Sequence, residues 1–382
     1  EIKAMAEYCS REYDAYGTPY ERQMQYHSAH DIGHVMQDYM LVGCTSFAVW
    51  GDESEDGEII AGRNFDFYMG EDFAGRNIVL VEKPDSGYAY VSVTWPGMTG
   101  VLSGMNEKGL TVSINASKLE TPKMSATPVS ILAKEILQYA SDIEEAVCIA
   151  RAAKTFVSES FLICSASDGR AAVIEKTPSE MDVYDPAAND PECCRVVCAN
   201  HYQSDLFRDR EENLANLRES DSGHRFRRVE ELLDSLGKIG PKSAALILRD
   251  RRGAGGKDIG MCNELSINQL LAMHSVIFRP SAREIWVSTT PWQCGEFIRF
   301  RLDDILDSPV PPYHRDSSKD IPEDIFLHSE SFRNLLKFKR SSAGIRSAIS
   351  SGTEIPEDSI SAYIGLNPLY YNAYNLAGDN FL

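Results

Sequence analysis

Val42-Gly43-Cys44-Thr45-Ser46-Phe47, followed by Gly62-Arg63-Asn64-Phe65-Asp66-Phe67, are the two stretches whose reading decides the fold. From Cys44 onward the apolar residues recur every second position: Phe47 and Val49, then Ile59 and Ala61. That period predicts two strands joined across the acidic turn Gly51-Asp52-Glu53-Ser54-Glu55-Asp56-Gly57. A cysteine behind a glycine at the head of a strand can be released by internal cleavage. It would then carry a thiol and a free α-amine on one residue, and the amine can activate the thiol without a histidine. An α-amine titrates near roughly 7.7–8 and a thiol near about 8.5, a suitable match for base and nucleophile. Gly43 has no Cβ to keep the thiol from its carbonyl. Thr45 and Ser46 add hydroxyls that could aid an N-to-S acyl shift. Set against this, a lone cysteine is most often a small buried hydrophobe.

Four further positions tip the balance towards chemistry. Arg63 and Asp66 are of the types needed to favour a thiolate, anchor a polar substrate group and orient an α-amine. Three apart, they need an irregular strand end to reach one pocket, and Gly-Arg-Asn also fits an ordinary turn. Asn115 and Asn200 close predicted strands, where a carboxamide can donate to an oxyanion worth about 3 kcal/mol. Strand-ending asparagines are also common without any role. Arg225 and Arg228 follow Ser222-Gly223-His224 on a predicted helix. One of the two is expected to face the site and the other to be solvated, and the residues alone do not separate them.

Around this centre the pattern is α+β. Residues 1–42 read as helical with a break at Gly17-Thr18-Pro19, and His27, His30 and His34 share one helical face. That face is a metal face, a pocket lining or a partly buried polar stripe. Strands are predicted at 77–82, 88–95, 100–105 and 110–115, with Asn106-Glu107-Lys108-Gly109 as the last turn. Two helices over 128–153 come next, capped by Ser141-Asp142 before the second. Strands at 160–165, 171–176, 181–184 and 195–199 precede helices over 204–250 and strands at 274–278 and 284–288. This is a layered arrangement and not a βαβ alternation. Beyond Ser308, Pro309-Val310-Pro311-Pro312 and Asp316-Ser317-Ser318-Lys319-Asp320 suggest a linker and a helical appendage. The expected units are thus residues 1–43, 44–308 and 309–382.

Composition narrows the classes. The 382 residues carry 57 acidic and 38 basic side chains, a net charge of −19, which argues against a nucleic-acid surface. The sequence holds no P-loop, no GxGxxG fingerprint and no apolar run of transmembrane length. Nothing calls for a cofactor. Cys193, Cys194 and Cys198 look like part of a metal site but lack a partner pair at zinc-site spacing, so buried thiols or a disulfide are the simpler reading. The chain starts at Glu1 without an apolar leader; a removed signal peptide, which would place the protein in the periplasm or outside the cell, and a trimmed terminus both account for this.

Taken in order, Gly43-Cys44-Thr45-Ser46, Gly62-Arg63-Asn64-Phe65-Asp66, Asn106-Glu107-Lys108-Gly109-Leu110 leading to Asn115, and Asn200-His201-Tyr202 resemble the N-terminal-nucleophile (Ntn) cysteine hydrolases. The nearest branch is the acyl-CoA:6-aminopenicillanate acyltransferase-like one, related to the bile-salt hydrolases and acid ceramidases. The resemblance covers roughly residues 40–290. It implies an αββα four-layer sandwich, self-cleavage between Gly43 and Cys44, and a propeptide of residues 1–43. It also implies Cys44 as nucleophile, Arg63 and Asp66 as site organisers, Asn115 and Asn200 as oxyanion donors, and Arg225 or Arg228 as the basic helix position. The expected partner is a small-molecule acyl amide or thioester, with a homo-oligomer left open. Two competing readings remain at this level. One is a papain-like pairing of Cys44 with His201 or His274, and the other is a scaffold without catalysis. Trp95-Pro96-Gly97-Met98 with Phe65, Phe67 and Tyr68 reads equally as an acyl pocket or as core.

Overall fold

The computed structural model describes residues 2–35, 42–67, 75–120, 126–307 and 316–380. Its strands are β1 (Val42–Val49), β2 (Ile60–Phe67), β3 (Ile78–Glu82), β4 (Tyr90–Thr94), β5 (Ser103–Asn106), β6 (Leu110–Ala116) and β7 (Glu159–Ser165). These are followed by β8 (Arg170–Lys176), β9 (Met181–Tyr184), β10 (Arg195–Cys198), β11 (His274–Arg279), β12 (Glu284–Ser288) and β13 (Phe297–Arg301). They form two sheets, every pairing of which is antiparallel. One has the order β10-β1-β2-β11-β12-β13 and the other β3-β4-β5-β6-β7-β8-β9.

Alternation along each strand sorts the side chains into layers. In β1, Ala48 points between the sheets to meet Val91, Val93, Met105 and Leu162, while Phe47 and Val49 point to the opposite side. There they meet Val229 and Leu233 of the Ser222–Leu236 helix and Ala244, Ala245, Ile247 and Leu248 of the Pro241–Leu248 helix. The second sheet buries its outer face against the Val129–Tyr139 and Ile143–Ala152 helices through Leu132, Ile136, Ala146 and Ala150. Helix, sheet, sheet, helix is the four-layer αββα sandwich, built on apolar burial on both faces of both sheets.

Most predicted elements lie within two residues of their observed bounds. β13 (Phe297–Arg301) carries Arg299 and Arg301 at alternate positions on an edge strand and was not anticipated. The Pro309–Pro312 stretch, Tyr68, and the side chains of His30 and His34 lie outside the described residues. His27 is described: it is buried, and its Nε2 accepts from the Thr99 N–H at 2.9 Å while Nδ1 meets Gln23 O at 2.7 Å. It is therefore a satisfied buried histidine that seats the Pro19–Val35 helix on the 96–99 loop. Tyr26 of the same helix meets Trp95 edge-on at 6.3 Å. Cys9, Cys44, Cys148, Cys164, Cys193, Cys194, Cys198 and Cys294 are free thiols, and among the described residues no group of three His, Cys, Asp or Glu side chains is placed to hold a metal. No described helix is long and apolar enough to cross a membrane.

The Asn106–Gly109 turn shows how tightly the second sheet is tied to its helices. Asn106 is fully buried, donates to Leu137 O and Ala140 O at 2.8 Å each, and accepts from the Lys108 and Leu110 N–H groups at 3.0 Å. Gly109 has φ +77°, and a methyl there would come 2.7 Å from Pro280 O. Replacing Asn106 by alanine removes the partner of four backbone groups, three of them buried and the Lys108 N–H partly so. We expect Asn106→Ala to lower unfolding free energy by about 2–4 kcal/mol. Urea unfolding at constant m-value checks this, and a change below about 0.5 kcal/mol would contradict the four-bond account.

Candidate active site

The site begins where β10 stops. β10 pairs with β1 only as far as Ser46 opposite Cys198, so the N–H and C=O of Cys44 project past its end. Backbone groups buried at such a place need partners. Side chains supply them: the Cys44 N–H donates to Asn200 Oδ1 at 3.0 Å, and Cys44 O accepts from Arg225 Nη1. Arg225 also donates to Thr45 Oγ1 at 2.8 Å, to Asn200 Oδ1 at 2.6 Å and to Asp221 Oδ1 at 3.1 Å. The helix that carries Arg225 is held here because Ser222 Oγ accepts from the Asn200 N–H at 2.7 Å.

The sheet divides the remaining groups. On the inter-sheet side the Cys44 thiol is buried, and Arg63 Nη2 donates to its sulfur at 3.5 Å. Arg63 also donates to Ser103 Oγ and Ile114 O, and its guanidinium lies 4.5 Å from the centre of the Phe65 ring. His274 Nε2 sits 2.9 Å from Ser103 Oγ and 3.3 Å from Arg63 Nη1. Burial raises the thiol pKa, and the Arg63 charge opposes that rise. On the opposite side of the sheet lies Asp66, across the ladder from Gly43. Its carboxylate is fully buried and neither oxygen has a hydrogen-bond partner. Burial pushes its pKa up to about 8, against the pull of Arg225 and Arg63.

Cys44, Arg63, Asp66, Asn200 and Arg225 therefore converge on one peptide bond. Arg63 and Asp66 do so without the irregular strand end that their spacing suggested: β2 stays regular, the two point to opposite faces, and the Gly43–Cys44 peptide lies between them. Arg228 is held elsewhere, 2.9 and 3.1 Å from Asp250 and 3.0 Å from Glu231. Asn115 is close by, but both N–H bonds of its carboxamide go to backbone, to Cys198 O at 3.0 Å and Ala199 O at 3.2 Å, while Ser46 Oγ donates to its oxygen at 2.7 Å. It binds the two sheets together. Neither histidine bonds to the thiol: His201 Nδ1 meets Ser222 Oγ at 2.7 Å, and burial lowers its pKa to about 4. Burial, then Arg63, likewise keep His274 well below its usual range.

Sequence reasoning passed over Ser103, Asp221 and the Ser266–Leu270 loop. The Asp221–Arg225 spacing of four on a helix was the one readable signal. Phe65, Phe67 and Trp95 stack with centroids 5.6–6.4 Å apart in the core around Cys44. Beside them Met273, whose N–H donates to Phe65 O at 2.8 Å, opens onto a groove of about 310 Å³ lined by Ile78, Val79, Trp292, Ile298 and Phe300.

Residues 52–290, more than half of the chain, match the family described as acyl-coenzyme A:6-aminopenicillanic acid acyl-transferase. The chain belongs to this family. Cys44 precedes the matched stretch. A curated relative from Archaeoglobus fulgidus, described as an uncharacterized protein, is 27% identical over 187 residues, 44% of this chain and 31% of that one. The alignment thus spans under a third of that relative's length. Among solved structures, the chain is similar to the Caenorhabditis elegans ortholog of N-acylethanolamine-hydrolyzing acid amidase, at 20% identity and TM-score 0.45, covering 62% of this chain and 93% of that one. A variant of the conjugated bile acid hydrolase from Clostridium perfringens is 14% identical at TM-score 0.44, covering 68% and 93%. Penicillin V acylase from Agrobacterium tumefaciens is 15% identical at 0.42, covering 65% and 83%.

The Asp66 carboxyl gives a signed pH dependence. Its folded pKa, about 8, lies above its ordinary 3.8, so the intact folded chain holds a proton that the unfolded chain releases. Stability from this group is complete below pH 3.8 and is lost as pH rises through about 8. Glu175, raised to about 7, contributes in the same direction, so the contrast between variants matters. Urea unfolding of the intact chain between pH 5 and pH 9 should show a falling stability, and Asp66→Asn should flatten that fall. An unchanged slope in Asp66→Asn would show that the carboxyl is ionised in the folded chain.

Proposed function

We propose that this chain is a self-processing thiol amidohydrolase or acyltransferase acting on linear N-acyl amides or thioesters, with Cys44 as nucleophile. The observation that carries this reading is the partnerless buried carboxylate of Asp66, across the ladder from Gly43 and beside the peptide that would release an α-amine. A buried carboxyl without a partner costs stability. An ammonium at the new N-terminus of Cys44 would supply the missing charge and donors.

In the first reaction the Cys44 sulfur adds to the Gly43 carbonyl carbon. The C–N bond breaks, a thioester forms, and the thiol proton ends on the Cys44 nitrogen. Water then cleaves the thioester, leaving Gly43 as a carboxylate and Cys44 with free thiol and amine. Residues 1–43 are the propeptide in this reading, and the Pro19–Val35 helix seated through Tyr26 and His27 is its anchor. In turnover the amine takes the thiol proton, the thiolate attacks the substrate carbonyl, and the protonated amine gives the proton to the leaving amine or thiol. The acyl group then passes to water or to an acceptor amine. Arg63 stabilises the thiolate, Asp66 orients the amine, and Asn200 with Arg225 holds the Cys44 backbone in place. The apolar groove beside Met273 suits the acyl chain. Membership of an acyl-transferase family supports the reaction class. The absence of a thiol–histidine bond weighs against a papain-like pair.

Denaturing mass spectrometry reads the Gly43–Cys44 bond directly. Wild-type protein should split there, Cys44→Ala should remain whole, and Asp66→Asn should lower turnover on the order of 10²-fold or more. A wild-type chain still intact after long incubation, and unlabelled at Cys44 by a thiol-reactive acyl probe, would leave only the scaffold reading. Activity without cleavage would instead favour the histidine pairing.

A further inference from the structure

We propose that Gln269 is a catalytic residue of self-cleavage, donating its side-chain N–H to the oxyanion that forms at Gly43. The inference rests on the self-processing reading above and adds a group which that reading lacks.

Self-cleavage needs a donor for the Gly43 oxygen as it gains charge. The carboxamide and terminal guanidinium donors suggested by residue type are already engaged, and only the Nε–H groups of Arg63 and Arg225 are idle among them. Both N–H bonds of the Asn115 carboxamide go to Cys198 O and Ala199 O, and Asn200 Nδ2 donates to Ala116 O at 2.8 Å. Both terminal nitrogens of Arg225 serve Cys44 O, Thr45, Asn200 and Asp221. Gln269 differs. It is 5% exposed, and its Nε2 has no hydrogen-bond partner. An idle buried N–H₂ is costly and calls for an explanation.

Its position supplies one. A methyl group on Gly43 would lie 3.0 Å from Gln269 Nε2 and 3.7 Å from Arg225 Nη2, so the carboxamide abuts the Gly43 α-carbon. Successive strand residues face opposite sides. The Cys44 thiol lies on the inter-sheet side, and Gly43 presents its α-carbon to Gln269 on the other. Sulfur adding from one side pyramidalises the carbonyl carbon and drives its oxygen towards the far side, where Gln269 waits. In the planar ground state the donor is unused, which is the arrangement that favours a transition state over a substrate.

The loop is built to hold this side chain still. Asn268 Oδ1 accepts from the Leu270 N–H at 2.9 Å, and the Asn268 N–H donates to Asp250 O at 2.8 Å. Leu270 adopts φ +55°, a strained choice for a branched residue. Lys339 Nζ, from the Glu330–Ser350 helix, clamps Leu270 O at 3.0 Å while lying 4.1 Å from the centre of the Trp292 ring.

The test is a time course of Gly43–Cys44 cleavage in full-length chain made by cell-free synthesis, for wild type, Gln269→Met and Gln269→Glu. Both variants keep the volume and lose the N–H₂. Each should slow cleavage by about 10²-fold, while thermal midpoints measured in a Cys44→Ala background stay near that of Cys44→Ala alone. Cleavage by either folded variant within about threefold of the wild-type rate overturns the proposal and leaves the self-processing reading intact. A wild-type chain that never cleaves overturns both. If Gln269→Met does not fold, Gln269→Glu decides alone.

Discussion

Everything at this site follows from a strand that stops too soon. β10 leaves β1 at Ser46, and the buried N–H and C=O of Cys44 must then find partners among side chains. Asn200 takes one and Arg225 the other. That requirement fixes the Ser222–Leu236 helix against the sheet, because Arg225 must reach past Thr45, and Ser222 must meet Asn200. A backbone need has been met with carboxamide and guanidinium groups, so the end of a ladder becomes a polar cleft instead of a closed edge. Extending β10 by two residues would satisfy Cys44 equally well and leave no room for those side chains.

The same region gathers charge that the fold does not need. Arg63, Asp66, Glu159 and Arg225 are all buried near one thiol. Removing such groups from water costs several kcal/mol each, and their mutual attraction recovers only part of that. Arg63 and Asp66 lie on opposite sides of one strand and are poorly placed to pair with each other. Asp66 shows the imbalance most directly, since neither of its oxygens is bonded and burial outweighs both arginines in setting its pKa. Local conflict of this kind is typical of a place where function, not stability, selected the residues.

Much of the architecture was readable because it depends on period. Alternation around Phe47 and Val49, and the Asn106–Gly109 turn, express burial on one face and backbone geometry that neighbouring residues impose. The site was readable only in residue types. Arg63 and Asp66 are three apart, and strand geometry puts such a pair on opposite faces; the spacing therefore looked like an obstacle until the Gly43–Cys44 peptide was seen lying between the faces. Arg225 and Arg228 carry equal charge on one helix, and what parts them is tertiary: Asp250 and Glu231 capture one, and the end of β10 claims the other. Asn115 shows the reverse case: its residue type suits an oxyanion hole, while two backbone carbonyls hold its donors in this structure.

The helices at the end of the chain, which the sequence left without a role, gain one from the loop beneath them. Asn367 exchanges hydrogen bonds with the backbone of Met261 at 2.9 and 2.8 Å, and Tyr371 bonds to Glu264. Lys339 reaches Leu270 beside Gln269. Phe326 and Leu335 share a small apolar cluster with Leu270, Trp292 and Cys294. A loop of this length would otherwise have few apolar contacts and would open easily. Packed between the appendage and the first sheet, it holds a strained Leu270 backbone and an unpaired Gln269 N–H₂ that neither side would hold alone. The geometry over Gly43 is therefore set from the far end of the sequence, which is why no motif near Cys44 could announce it.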